Sequence, residues 1–141
     1  MSASAIMEIY RAISDLVVGD TKCRALDEAN LAVRAVDMPL RILLPHTEGD
    51  DRFIAIGTLN GIEWKVRDLC LWAPVVAGAG FQQFAEPMVA YVKLYISALK
   101  TMRIPTEQSH IRSVSFALGL APWAEAQYYA IDTTLTVEEF I

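Results

Sequence analysis

One segment does most to limit the folds open to this chain. From Phe84 onward, Phe84, Met88, Tyr91, Val92, Tyr95, Ile96, Leu99 and Met102 recur at three- and four-residue spacing, with Lys93, Ser97, Lys100 and Arg103 opposite or flanking. That pattern predicts a long helix with one apolar stripe, and such a stripe is stable only against a second layer. Pro87 suits the first turn of this helix better than its interior. Ile104-Pro105 ends it.

The rest of the chain supplies that layer. Ile6, Ile9, Tyr10, Ile13, Leu16 and Val17 predict a first helix that stops at Gly19-Asp20, and Asp27 to Val36 reads as a short helix or a turn-rich connector closed by Asp37-Met38-Pro39. Leu40 to Leu44 and Phe53 to Gly57 read as short strands. Leu59-Asn60-Gly61 carries a hairpin signal. In the next strand, Ile62 to Trp72, Ile62, Trp64 and Val66 alternate with Glu63, Lys65 and Arg67. The run Leu69-Cys70-Leu71-Trp72 is then apolar without a break, so both faces of the strand are covered there. Pro74 to Gly80 is a loop. After the long helix, Val114, Phe116, Leu118 and Leu120 share one strand face. Ala121-Pro122-Trp123-Ala124 makes a turn, and Gln127 to Val137 alternates again until Glu138-Glu139. The expected fold is α+β: a mainly antiparallel sheet of four to five strands, with an N-terminal helix and one long helix packed on one face.

With 141 residues the chain is one domain, residues 1–141, able to bury a core without disulfides or metals. It is 54% hydrophobic and 21% charged, with a formal net charge of −5. Disorder is excluded by that apolar content. General nucleic-acid binding is disfavoured, because it needs a basic surplus. A small domain with so much apolar residue and so little charge is expected to bury surface against partners. Leu69 to Ala85, the longest uncharged run, is broken by Pro74, Gly78, Gly80, Gln82 and Gln83, so no membrane span is expected. The start of the chain lacks a basic region and carries Glu8, Arg11 and Asp15, so secretion is not indicated. Cys23 and Cys70 read as reduced thiols, Cys70 as simple packing.

Little in the sequence carries chemistry. His46, beside Glu48, Asp50 and Asp51, has neither zinc nor EF-hand spacing, and His110 has no partner in sequence to make it a general base. Gly78-Ala79-Gly80 lacks the spacing of a phosphate loop. No catalytic, cofactor or metal residue is assigned. Trp72, Phe81 and Trp123 border Pro/Gly loops, where aromatics commonly anchor interfaces; Gln82 and Gln83 adjoin them. Glu48, Asp50, Asp51, Glu138 and Glu139 are the candidates for exposed acidic surface.

The order of elements, with the phrases Asp37-Met38-Pro39-Leu40-Arg41-Ile42-Leu43-Leu44-Pro45, Glu63-Trp64-Lys65-Val66-Arg67-Asp68-Leu69-Cys70-Leu71, Gln82-Gln83, Glu86-Pro87 and the closing stretch from Tyr128 to Glu139, resembles the tail terminator (tail completion) proteins of long-tailed bacteriophages and gene transfer agents. The resemblance lies in layout and runs along nearly the whole chain. It implies a structural virion protein without cofactors. Such a protein is a hexameric ring that caps the tail tube and meets the head-closure or stopper protein of the neck. It is assembled in the host bacterial cytoplasm. DNA would pass through it without specific binding, helped by acidic residues facing the lumen. The rival expectations are another neck component of the head-closure type and a small ligand-binding or enzyme domain walled by Tyr91, Tyr95 and Trp64.

Overall fold

The computed structural model describes residues 5–24, 38–44, 54–58, 61–75, 82–102, 109–123 and 126–140. The elements are α1 (Ala5–Ser14), β1 (Lys22–Arg24), β2 (Leu40–Leu44), β3 (Ile54–Thr58), β4 (Gly61–Pro74), α2 (Gln82–Thr101), β5 (Ser109–Trp123) and β6 (Ala126–Phe140). They form the expected α+β arrangement. The sheet runs β1-β2-β4-β6-β5, with β3 also on β4. Every pairing is antiparallel except the short parallel contact of β1 with β2.

Three long strands form the spine. β6 is paired along its whole length, with β4 on one side and β5 on the other. Because β6 occupies one edge of β4, β2 and β3 both sit on the other. β2 lies against Arg67 to Leu71 and β3 against Gly61 to Trp64, and both run opposite to β4. They are two halves of one interrupted strand, and residues 45–53, outside the described residues, join them.

Strand alternation sorts the side chains into two clusters. On the helix face, Leu43, Val66, Cys70, Ile131, Leu135 and Val137 meet Ile9 and Ile13 from α1 and Met88, Tyr91 and Tyr95 from α2. On the other face, Leu40, Ile42, Leu69, Leu71, Ala121, Tyr128 and Ala130 form a second cluster, with Met38, Leu44 and Trp123 packed on it. The unbroken run Leu69-Cys70-Leu71-Trp72 therefore alternates between two cores. Each fully buried Leu or Ile stabilises by about 1.5–3 kcal/mol relative to exposure, so the strand needs both covers.

Four expectations shift. β1 has only three residues, too few to show a period, and follows Gly19 at φ +57°. The final turn comes later than Ala121–Ala124: Pro122 and Trp123 still pair with Gln127 and Ala126. β5 tolerates the proline because no described strand pairs with its second side. Pro87 lies inside α2 rather than in its first turn, since the helix begins at Gln82. Ile96 sits at the margin of the stripe and is exposed. The segment Asp27 to Val36 lies outside the described residues.

Candidate assembly surface

A polar network that joins four elements is buried. Arg41, the second residue of β2, is wholly inaccessible, as is Asp68 on β4. Arg41 donates to Asp68 Oδ2 through Nε at 3.0 Å and Nη2 at 2.7 Å. The same guanidinium donates to the Ile13 carbonyl at 2.7 Å and the Leu16 carbonyl at 3.0 Å. These carbonyls lie at and just beyond the C-terminal end of α1, where helix geometry leaves acceptors unpaired and a cation is favoured. Tyr95 on α2 donates its hydroxyl to Asp68 Oδ2 at 2.5 Å, and the guanidinium lies 5.3 Å from its ring centre. One ion pair thus ties α1, β2, β4 and α2 together.

The electrostatics make this a lock. Burial works against the charged form of Arg41, but the Asp68 carboxylate outweighs it and the net shift is upward. Burial, then the Asp68 charge, pushes Tyr95 well above the usual phenol range, so it stays a donor. Cys70, across from Arg41 in register, is pushed up to about 12 by burial and then by Asp68. Burial also pushes up Cys23, whose Sγ accepts from Ser14 Oγ at 3.7 Å. Neither thiol has the lowered pKa of a nucleophile.

A polar ladder covers the other half of the outer face. Arg67 Nε donates to both oxygens of Asp132 at 2.9 and 3.0 Å. Lys65 Nζ donates to Thr136 Oγ1 at 2.9 Å. Glu63 and Glu138 stand directly opposite each other, and Arg112 bridges them at 3.2 and 3.9 Å. The closing acids are therefore not the exposed surface expected of them. Glu138 and Glu139 are only 6% and 5% exposed. Strand β6 runs on to Phe140, so both are paired residues, and Glu139 accepts from Trp64 Nε1 at 2.8 Å.

The remaining expected site residues do not converge. Trp72 turns inward, 5.9 Å edge-on to Tyr91, and Trp123 packs on the outer cluster. Gln83 is exposed near the start of α2. Phe81, the side chain of Gln82, and the loop acids Glu48, Asp50 and Asp51 lie outside the described residues, as does His46. His110 stacks near Phe140, ring centres 5.4 Å apart, and its Nε2 lies 3.9 Å from Glu138. Among the described residues no group of three His, Cys, Asp or Glu gathers as a metal site. Tyr91, Tyr95 and Trp64, the supposed pocket walls, are core and network residues.

No family model matches the chain, and no curated protein matches its sequence. No described helix is long and apolar enough to cross a membrane.

What sequence reasoning missed is where apolar side chains are left in water. Ile56 is 86% exposed and Ile54 48%, both on β3, and Leu120 on β5 is 61% exposed. These strands border the sheet at opposite ends of its width. Their signal was present as uncharged strand segments, but nothing in the sequence identifies a strand as an edge.

Proposed function

We propose that this chain is a structural ring subunit, a tail-terminator-like protein that caps a phage-type tail tube and joins it to the head neck. The observation that carries the reading is that two opposite borders of the sheet leave apolar side chains in water, Ile54 and Ile56 on β3 and Leu120 on β5. A closed ring needs two different patches on each subunit, each meeting its complement on the next copy. Opposite borders of one sheet provide two such patches. The sequence layout supports the phage assignment, and the net charge of −5 suits a conduit that must not hold DNA.

On this reading the acidic balance of the chain, with exposed Asp15, Asp20 and Glu86 among its carboxylates, keeps DNA from being held. Glu138 and Glu139 serve the sheet instead. The partners are further copies of the chain, a tail tube protein and a head-closure protein. The destination is the virion, with assembly in the bacterial cytoplasm.

Purified protein mixed with tail tubes that lack a terminator should form a ring at one tube end, seen by negative-stain microscopy. Bare tube ends at every protein concentration would overturn the reading.

A further inference from the structure

The borders of the sheet suggest how one copy meets the next. β5 has fifteen residues and pairs only with β6 among the described strands; β3 pairs only with β4. β3 carries no charge, and in the Ser109–Val114 stretch of β5 the arginine, Arg112, is held by Glu63 and Glu138 on the face away from the helices. An edge without inward charges is a template for another strand.

Three observations fit these two edges to each other. The first is direction. β5 runs parallel to β4, because both are antiparallel to β6, while β3 runs antiparallel to β4. A second copy set beside the first in the same orientation therefore presents its β3 antiparallel to β5, with both helix layers on one side.

The second is facing and level. Ile54 and Ile56 register with Trp64 and Ile62, on the helix face of the sheet. Following the ladders across, the Ile54 row reaches Val137 and then Ile111, and the Ile56 row reaches Glu139 and then Ser109. The isoleucines thus arrive on the correct face at the Ser109 end of β5.

The third is a receptacle at that place. An open groove of about 360 Å³ lies between α2 and β5, lined by Ile96, Leu99, Met102, Ile111 and Val114, with Lys100, His110 and Ser113 at its sides. Added strands gain affinity from main-chain hydrogen bonds and specificity from pockets that take alternate side chains. Ile54 and Ile56 are alternate, aliphatic and otherwise in water.

We propose that successive copies of this chain associate head to tail, with β3 of one copy added antiparallel to the Ser109–Val114 end of β5 in the next. The Ile54 and Ile56 side chains then fill the groove beneath α2. This names one contact for the ring reading, on the same strand as Leu120 but at its other end, and it rests on that reading only for closure. β1 lies along the far part of the same border as β3, so pairing is confined to one end of β5. The strand shifts register beyond Ile111, where it can turn aside. Successive copies are then rotated rather than laid flat, which favours a closed ring over a ribbon.

The test uses two variants at exposed positions, Ile56→Glu on the strand and Ile96→Glu on the groove wall. Light scattering of the wild-type protein should give a multiple of its 15.6 kDa mass. Each variant, folded by circular dichroism, should be monomeric. An equimolar mixture should recover a species of twice the monomer mass, because one intact β3 edge meets one intact groove. Variants that assemble like the wild type would overturn the contact, while tube capping by the same variants would leave the ring reading standing. A mixture that stays monomeric, or a wild type that is monomeric at every concentration, would also overturn the contact. Failure of the wild type to cap tubes is a separate result and counts against the ring reading itself.

Discussion

At the scale of single residues, the fold turns on one carboxylate oxygen. Asp68 Oδ2 accepts from Arg41 twice and from Tyr95, whereas Asp68 Oδ1 has no partner. Breaking a buried pair strands a charge, so Arg41→Ala or Asp68→Ala should each cost about 3–5 kcal/mol in urea unfolding. The double variant Arg41→Met/Asp68→Leu should cost less than the sum, because it leaves no lone charge. Two tyrosines one turn apart on α2 should respond differently. Tyr95→Phe removes a donor to a charged acceptor and should cost about 1.5–3 kcal/mol. Tyr91→Phe removes a buried hydroxyl that faces only the weakly polar Cys70 thiol and should be close to neutral, at less than about 1 kcal/mol. The thiol supplies a pH dependence. Cys70 stays protonated in the folded state until about pH 12, but near its ordinary value of 9.0 in the unfolded chain. The unfolded state therefore loses the proton first, and stability falls as pH rises from about 9 towards 12. Tyr10, Tyr91 and Tyr95, also raised by burial, steepen that fall at its alkaline end. Urea midpoints at pH 8, 10 and 11 should decline, and Cys70→Ala, though weaker at pH 8, should decline less steeply.

At the scale of elements, what the sequence could reveal depended on length. The stripe from Phe84 to Met102 and the alternation in β4, β5 and β6 extend over enough residues to show a period, and each became the element expected. The unbroken run from Leu69 to Trp72 correctly implied two covered faces. β1 could not be foreseen, because three residues have no period. The Arg41–Asp68 pair left a faint signal: a lone arginine in the apolar Leu40–Leu44, and a lone aspartate before an apolar run. Only tertiary pairing could join them across 27 positions of sequence. Glu138 and Glu139 misled because consecutive acids look like a chain end in water, although one reaches Arg112 and the other Trp64. Two element-level predictions follow from this geometry. Gly19 holds φ +57°, and a Cβ there would lie 3.3 Å from Leu94 Cδ1, so Gly19→Ala should lower stability by about 1 kcal/mol in thermal unfolding. Arg112→Ala should unmask the repulsion of Glu63 and Glu138 across the β4–β6 ladder. Its cost should be about 0.5–1 kcal/mol at low ionic strength and should shrink in 1 M salt.

At the scale of the whole molecule, the division of labour differs from the one composition suggests. The loop-bordering aromatics first expected at an interface are largely spent within the subunit, with Trp72 against Tyr91 and Trp123 on the outer cluster. Of the apolar residues left in water, Ile54, Ile56 and Leu120 stand at the borders of the sheet, while Val17, Val89 and Leu94 stand on the helix layer. A subunit whose core is locked by Arg41, Asp68 and Tyr95 can expose such borders without loosening its interior. The proposed role follows from that combination of a rigid unit, two complementary edges and an acidic balance. It is tested most directly by locating the protein in assembled particles with a label on the chain, imaged by electron microscopy. Label should be confined to the junction between head and tail, as a ring around the end of the tube. Label elsewhere on the particle, or particles complete without the protein, would contradict it.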